Sequence, residues 1–198
     1  MQTPKMEKLT PLAETRYLNM YDAAYKNRKG EPKHWMIASR KTQADLEGIY
    51  FHGGEEKTDA VVLVAIHEET QKLVLIRQFR MPLNDFIYEL PAGLIDPGED
   101  ALSTVGRELK EETGLTLVNM THMQDKLYLS AGMTDESVAL MYCTCTGNLS
   151  TAYLEADETI EPLLVSKEEA KCILASGTKL DIKTYLVIQQ FIQGCLAI

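Results

Sequence analysis

Three glutamates lie close together in one short segment of the chain: Glu108, Glu111 and Glu112. Glu108 and Glu112 are four residues apart, so in a helix they share one face, where like charges repel each other. Glu111 and Glu112 also face the negative end of the predicted helix dipole. Hard divalent cations such as Mg²⁺ bind a few carboxylate oxygens together with water and substrate phosphates. The cluster therefore predicts a metal site that acts on a phosphorylated substrate.

The residues around the cluster predict where its helix begins and ends. Asp96-Pro97-Gly98 is a turn sequence, and Glu99 and Asp100 then place negative charge at a helix start, where it is favourable. Gly114 suits the left-handed position just past the helix end. The apolar stripe that should pack against the rest of the protein consists of Leu102, Val105 and Leu109.

Residues 93–115 resemble the signature of the Nudix hydrolases. In that signature a Gly, five residues, a Glu and seven residues precede Arg-Glu-apolar-any-Glu-Glu-any-Gly-apolar. Every defined position is filled here, by Gly93, Glu99, Arg107, Glu108, Leu109, Glu111, Glu112, Gly114 and Leu115. With average residue usage, a chance match at a given start is on the order of one in a billion. An amphipathic helix with a solvated acidic face would explain Glu108 and Glu111, but it makes no demand on Gly93 or Arg107.

The resemblance implies a set of metal ligands and a metal. Glu108 and Glu112 would bind the cation together with the backbone carbonyl of Ala92, and Glu111 would lie close by, acting through water or a second ion. Arg107 would orient these groups and would not clamp the substrate. The implied cofactor is Mg²⁺, for which Mn²⁺ could substitute.

The general base is predicted to come from an acidic loop. Glu136 precedes one predicted strand and Glu158 precedes another, and both loops could cover the metal. Members of the family that cleave ADP-ribose commonly carry a functional Glu in the loop matching residues 157–161. The resemblance therefore favours Glu158 over Glu136.

Beyond the signature, most of residues 14–193 resemble the ADP-ribose pyrophosphatase branch of the family. The resemblance to this branch is strongest in residues 77–82 and 89–96. In similar enzymes the arginine that corresponds to Arg80 contacts the diphosphate. In the weaker segment, residues 35–40, the aromatic matching Trp35 stacks on adenine and the residue matching Arg40 binds phosphate. Tyr17 is a second candidate aromatic residue. Core or dimer packing is the alternative role for Trp35.

The resemblance also concerns the oligomeric state, and it leaves the substrate and the class of protein open. In this branch the N-terminal hairpin crosses to a second subunit, which implies a homodimer. Many relatives that cleave ADP-ribose have Pro where this chain has Ala131, so GDP-mannose, another nucleotide sugar or a related dinucleotide stays open as the substrate. Two other kinds of protein also stay open: a non-catalytic ADP-ribose-sensing domain, and an interaction module that uses the acidic helix as a docking face.

Composition narrows the class of protein. The chain has 198 residues, 45% of them hydrophobic, which suffices for one domain core with an accessory segment. A net charge of −9 argues against broad binding to nucleic acid or acidic membrane surfaces. The longest aliphatic run, residues 61–66, is too short to cross a bilayer, and no signal-peptide run is recognised. We therefore expect a cytoplasmic protein whose four cysteines are buried free thiols.

The pattern of elements predicts an α/β fold: an α/β/α sandwich with a mixed sheet, preceded by an antiparallel hairpin. Residues 1–55 are predicted to form the hairpin and dimerisation region, with strands at 16–25 and 33–40, and residues 56–198 the Nudix hydrolase domain. Strands are predicted in that domain near residues 61–66, 72–79, 86–90, 117–129, 138–145 and 160–165. A helix should open at Ser166 and stop near Gly177. A last helix, residues 181–193, should pack through Ile182, Tyr185, Leu186, Ile188, Phe191 and Ile192.

Overall fold

The computed structural model describes residues 3–196 of the chain. They fall into two compact units. The first comprises residues 3–59 and 126–138, and the second comprises residues 60–125 and 139–196.

The first unit contains a three-stranded antiparallel sheet in the order β1-β2-β3. Its strands are β1 (Lys5–Ala13), β2 (Asn19–Lys26) and β3 (Pro32–Ser39). The predicted hairpin is the β2–β3 pair, whose turn is closed by a hydrogen bond from the Gly30 N–H to the Asn27 carbonyl. Helix α1 (Gln43–His52) follows, capped by Thr42 and ended by Gly53 in the left-handed conformation.

The sequence prediction missed β1 and α1, and the structure explains why. Of the residues in β1 only Leu9 is buried, and of those in α1 only Leu46, so neither element shows an apolar period. Both residues pack with Tyr21 and Ala23 of β2 in a small core. These elements owe their stability to this shared cluster, which a local pattern does not reveal.

A seven-stranded mixed sheet follows the path β10-β5-β4-β9-β8, with β6 paired to β5 and β7 paired to β4. Its strands are β4 (Ala60–His67), β5 (Lys72–Arg80), β6 (Asp85–Glu89), β7 (Ala92–Leu94), β8 (Thr116–Tyr128), β9 (Ser137–Thr146) and β10 (Ile160–Val165). All of β4 is buried, as the unbroken apolar run predicted for a central strand. Both faces of the sheet are therefore covered there.

Three helices belong to the second unit: α2 (Ala101–Thr113), α3 (Lys167–Ala175) and α4 (Ile182–Gln193). Val105 and Leu109 of α2 pack with Val61 and Leu63 of β4 in the main core. Helix α3 contacts β10, and α4 contacts both α3 and β6. The predicted α/β architecture is confirmed.

Two predicted packing faces are wrong in part. Leu102 of α2 is 54% exposed, and in α4 Ile182, Tyr185 and Leu186 are 64%, 41% and 54% exposed. The buried residues of α4 are Thr184, Val187, Ile188 and Phe191. Because α4 carries apolar residues around much of its circumference, its sequence alone does not fix which stripe faces the core.

The thiol prediction also holds only in part. Cys143 and Cys145 are buried free thiols on β9, whereas Cys172 and Cys195 are exposed. Burial raises the pKa of both buried thiols to about 12. Within residues 3–196, no helix has the length and apolar character needed to span a bilayer.

Candidate active site

Helix α2, which carries the glutamate cluster, is fixed at both ends. At its start the Asp100 carboxylate accepts a 2.8 Å hydrogen bond from the Ser103 N–H, and the Ser103 hydroxyl accepts one from the Asp100 N–H. At its end Gly114 adopts φ 75° and donates its N–H to the Lys110 carbonyl at 2.9 Å. Both predicted helix ends are confirmed.

The short strand β7 approaches α2 so closely that Gly93 leaves room for the Glu108 side chain. A Cβ atom built on Gly93 would lie 1.9 Å from both Cδ and Oε1 of Glu108. The Glu108 carboxylate therefore lies directly against the backbone of β7, beside Ala92. Only glycine permits this contact without a displacement.

Glu112 is the most deeply buried acid of the cluster, with 3% of its surface exposed. Its Oε2 accepts a 2.9 Å hydrogen bond from the Ala92 N–H. Burial raises the pKa of Glu112 well above its ordinary value, and the nearby charges of Glu108 and Glu158 add to this, while the Ala92 N–H opposes it. Burial also raises the pKa of Glu108.

Arg107 binds three of the motif glutamates at once. Its Nη1 donates to Glu108 Oε1 at 2.7 Å and to Glu111 Oε2 at 2.9 Å. Its Nε and Nη2 donate to the Glu99 carboxylate, and Nη2 also donates to the Leu94 carbonyl at 3.0 Å. Hydrogen bonds from Arg107 and then from the Thr104 hydroxyl lower the pKa of Glu99 to about 2.

The donor set fits a hard divalent cation in type and charge. Two largely buried carboxylates, Glu108 and Glu112, lie beside the same short backbone segment, and burial raises the pKa of each. Carboxylate oxygens in such a position are ligands that a hard divalent cation accepts. In this structure Glu108 and Glu111 turn toward Arg107. Accordingly, among residues 3–196 no three acidic, histidine or cysteine side chains converge on one point in metal-binding geometry.

The two candidate bases lie in different units. Glu158 belongs to the second unit, where burial is the main cause of the raised pKa of Glu108 and Glu112 and the Glu158 charge adds a lesser contribution. Its carboxylate also accepts a 2.9 Å hydrogen bond from the Glu155 N–H, which closes the loop before β10. Glu136 belongs to the first unit, where its Oε1 accepts a 3.0 Å hydrogen bond from Nε of Arg40.

The predicted nucleotide-binding residues of the first unit are accessible. Trp35 is 51% exposed and donates its indole N–H to the Gly132 carbonyl at 3.0 Å. It lines a cavity of about 330 Å³ together with Tyr50, Tyr128 and Met133. Tyr17 is also exposed, and it has the guanidinium of Arg16 5.0 Å from its ring centroid.

Arg80 is held by a partner that sequence reasoning did not single out. Its Nε and Nη2 make three hydrogen bonds to the Glu89 carboxylate, the shortest of 2.6 Å from Nη2. Arg80 also lies near enough to Glu112 for its charge to lower the pKa of that carboxyl. The signal available in the sequence was an Arg and a Glu on consecutive strands, but their register could not be read from it.

The mixed sheet and the glutamate helix packed against a glycine-bearing strand define a Nudix-type α/β fold. The family model described as NUDIX domain matches residues 56–184, and the chain belongs to this family. It is a Nudix hydrolase, and hydrolases of this family generally use a divalent metal.

Three comparisons describe its relatives. The chain is 32% identical over 180 residues to "Putative nudix hydrolase 2" of Caenorhabditis elegans, covering 87% of this chain and 75% of that protein. It is 36% identical over 131 residues to "ADP-ribose pyrophosphatase" of Bacillus subtilis, covering 66% and 70% respectively. A crystal structure of "ADP compounds hydrolase" matches with a TM-score of 0.67 over 98% of this chain and 96% of the other. At 20% identity that match supports the fold alone.

Proposed function

We propose that this enzyme hydrolyses the pyrophosphate bond of ADP-ribose or of a similar nucleoside diphosphate sugar. The products are a nucleoside monophosphate and a sugar phosphate. The observation that carries the proposal is the burial of Glu112 and Glu108 beside the Ala92–Gly93 backbone. Relatives from Bacillus subtilis and Saccharomyces cerevisiae that are named ADP-ribose pyrophosphatase support the choice of substrate.

In this proposal the glutamates bind Mg²⁺, which in turn binds the substrate diphosphate. Mn²⁺ could replace Mg²⁺. Glu108, Glu112 and the Ala92 carbonyl would hold the cation, and Glu111 would assist through water or a second ion. A cation held there would supply neutralisation of phosphate charge and a lower proton affinity of the attacking water. Arg107 keeps Glu108 and Glu111 oriented through the contacts described above.

The proton of the attacking water is assigned to Glu158. As water adds to one phosphorus atom, the bond from that phosphorus to the bridging oxygen breaks and the carboxylate takes up the proton. The family resemblance supports this choice, and the Glu158 charge makes a lesser contribution, after burial, to the raised pKa of Glu108 and Glu112. Glu136 is engaged with Arg40.

The substrate contacts follow the family resemblance. Arg80 binds the diphosphate and Arg40 a phosphate, while Trp35 and Tyr17 hold the adenine. We also propose a homodimer that shares its sites through the N-terminal hairpin, and a cytoplasmic location. Residues 1–55 and 56–198 remain our proposed division into a dimerisation region and a Nudix hydrolase domain.

The test measures phosphate release after phosphatase coupling from a panel of nucleotide sugars that includes ADP-ribose and GDP-mannose. Each compound is assayed with Mg²⁺, with Mn²⁺ and with a chelator. We expect cleavage of ADP-ribose that requires metal. Preference for GDP-mannose would retain the reaction and change the substrate, and binding without cleavage would favour a sensing domain. If no compound is cleaved with either metal, hydrolysis is refuted.

Two variants test the base. Glu158→Gln should lower kcat by about 100-fold or more because a general base contributes typically that much. Glu136→Gln removes the competing candidate and should leave kcat within a few-fold of wild type. Thermal unfolding of both variants checks that the fold is intact. A kcat near the wild-type value for Glu158→Gln would remove Glu158 from the mechanism.

A further inference from the structure

We propose that Glu89 is a positioning residue, which holds the guanidinium of Arg80 in the orientation that binds the substrate diphosphate. The inference rests on the proposed function, in which Arg80 contacts that diphosphate. It assigns a role to an acid outside the helical glutamate cluster. Glu89 acts through Arg80 and touches neither the reacting atoms nor the metal ligands.

The two residues share the face of the sheet that is turned toward the glutamate helix. In the antiparallel β5–β6 pair Glu89 lies opposite Ile76, and residues at even spacing along β5 point to the same side, so Ile76 and Arg80 share that side. Val74, on the same side of β5, belongs to the core cluster formed with α2. The Arg80–Glu89 pair therefore lies on the α2 side of the sheet.

The contact geometry divides the guanidinium into a held edge and a free edge. Nε donates to both carboxylate oxygens of Glu89 at 3.1 Å, and Nη2 donates to Oε2 at 2.6 Å. Within residues 3–196, Nη1 of Arg80 has no hydrogen-bond partner, and the Glu89 side chain has none besides Arg80. A guanidinium has five N–H donors in one plane. Fixing the Nε–Nη2 edge therefore also fixes the directions of the remaining N–H donors of Arg80, which can then bind a ligand.

Orientation explains why a carboxylate is tolerated here. The Glu89 side chain is 16% exposed, so its charge is poorly screened. A negative charge beside a diphosphate site weakens the attraction between Arg80 and the ligand. Glu89 therefore weakens ligand binding to some extent. Its hydrogen bonds also fix the orientation of the long Arg80 side chain, which would otherwise be mobile.

This trade predicts opposite effects on binding and on turnover in Glu89→Gln. The variant removes the charge and keeps the size and one acceptor oxygen. The dissociation constant for ADP should fall by about threefold, because one repulsive charge is lost. The kcat should fall by about tenfold, because a guanidinium that is less well oriented stabilises the transition state less. A role confined to folding would lower the melting temperature without this split.

A double-mutant cycle decides whether Glu89 acts through Arg80. Arg80→Ala, Glu89→Gln and the double variant are compared by kcat and by calorimetric titration with ADP. If Glu89 affects turnover only by positioning Arg80, adding Glu89→Gln to Arg80→Ala should change kcat by less than twofold, whereas the gain in ADP affinity from removing a repulsive charge should remain. The matched control is Glu161→Gln, which breaks a 2.8 Å ion pair with Arg77 on the opposite face of β5. That variant should behave as wild type.

Three results would overturn the assignment. They are an unchanged kcat in Glu89→Gln, a parallel loss of kcat and ADP affinity, and a loss of kcat on Glu89→Gln that persists at full size in the Arg80→Ala background. The ADP titration needs no turnover. If the wild type cleaves nothing in the substrate panel, the proposed function fails, while an ADP affinity that is unchanged or weaker in Glu89→Gln would still refute the charge effect assigned to Glu89.

Discussion

Replacing Gly93 by alanine should impair catalysis while leaving the fold largely intact. The added Cβ would lie 1.9 Å from Cδ and Oε1 of Glu108, whereas ordinary contact begins at 3.4 Å. Restoring ordinary contact therefore requires the carboxylate to move by about 1.5 Å, the difference between these distances. All three atoms nearest to this Cβ belong to the Glu108 carboxyl group, the far end of a flexible side chain. A misplacement of about 1 Å in a catalytic group can cost about 100-fold in rate, and we expect a loss of that order in kcat/KM.

The expected effect on stability is small. Gly93 has no left-handed backbone requirement, and replacing glycine in a strand by alanine recovers about 0.5–1 kcal/mol of conformational entropy. This gain offsets part of the cost of moving the Glu108 side chain. We therefore expect the free energy of unfolding to stay within about 1 kcal/mol of wild type.

Gly106 provides the matched control. It lies within α2 in the same motif, and a Cβ built on it meets nothing within 4 Å. Gly106→Ala should raise the free energy of unfolding by about 1 kcal/mol, the difference in helix propensity, and leave kcat/KM unchanged.

The assay combines urea unfolding, phosphate release from ADP-ribose and calorimetric titration with Mn²⁺. The expected pattern for Gly93→Ala is near-normal stability with lower turnover and weaker Mn²⁺ binding, both absent from Gly106→Ala. Wild-type kcat/KM in Gly93→Ala would show that the position of the Glu108 carboxylate against β7 has no importance for catalysis. Unfolding of Gly93→Ala would show that the helix–strand approach is needed for the fold itself.

Two further predictions concern the thiols and the acid limb of stability. Burial raises the pKa of the Cys143 and Cys145 thiols to about 12, so both should be inert to a thiol reagent at pH 8. We therefore expect two thiols to react in the native protein and four in denaturant. Rapid reaction of all four thiols in the native protein would contradict the packing of β9. Glu99, with a folded-state pKa of about 2 against an ordinary value of 4.5, contributes stability that is fully present above pH 4.5 and is lost as the pH falls toward 2. Glu99→Gln should therefore flatten the decline of the urea midpoint over that window, and parallel curves for variant and wild type would refute the contribution.

The sequence predicted those parts of the fold in which local and tertiary signals agree. The continuous apolar run of β4 predicted a central buried strand, and turn and cap residues located both ends of α2. The prediction failed where one buried residue decides an element, as Leu46 does for α1, and where apolar residues surround a helix, as in α4. In both cases the deciding contact comes from distant residues.

In the candidate site, too, local features could be predicted from the sequence and long-range contacts could not. The spacing of Glu108 and Glu112 within one helix is a local property, and it predicted that both lie on one face. The Arg80–Glu89 contact depends instead on the register between two strands, and the Arg40–Glu136 contact joins residues 96 positions apart. Pairs of this kind are indistinguishable in sequence from solvated surface charges.

Charge compensation within the cluster is unequal, and this inequality points to Glu112 as the group that most needs a cation. Arg107 supplies hydrogen bonds to Glu99, Glu108 and Glu111, so a single guanidinium compensates three carboxylates. Glu112 is more buried than any of them and receives one backbone N–H. The nearby charge of Arg80 is itself paired with Glu89, so it compensates Glu112 only in part. A buried carboxylate with incomplete compensation is costly, and a fold selected for stability alone would place an apolar side chain there. We therefore propose that Glu112 takes part in ligand binding, and its burial beside Ala92 would then limit where that ligand can lie.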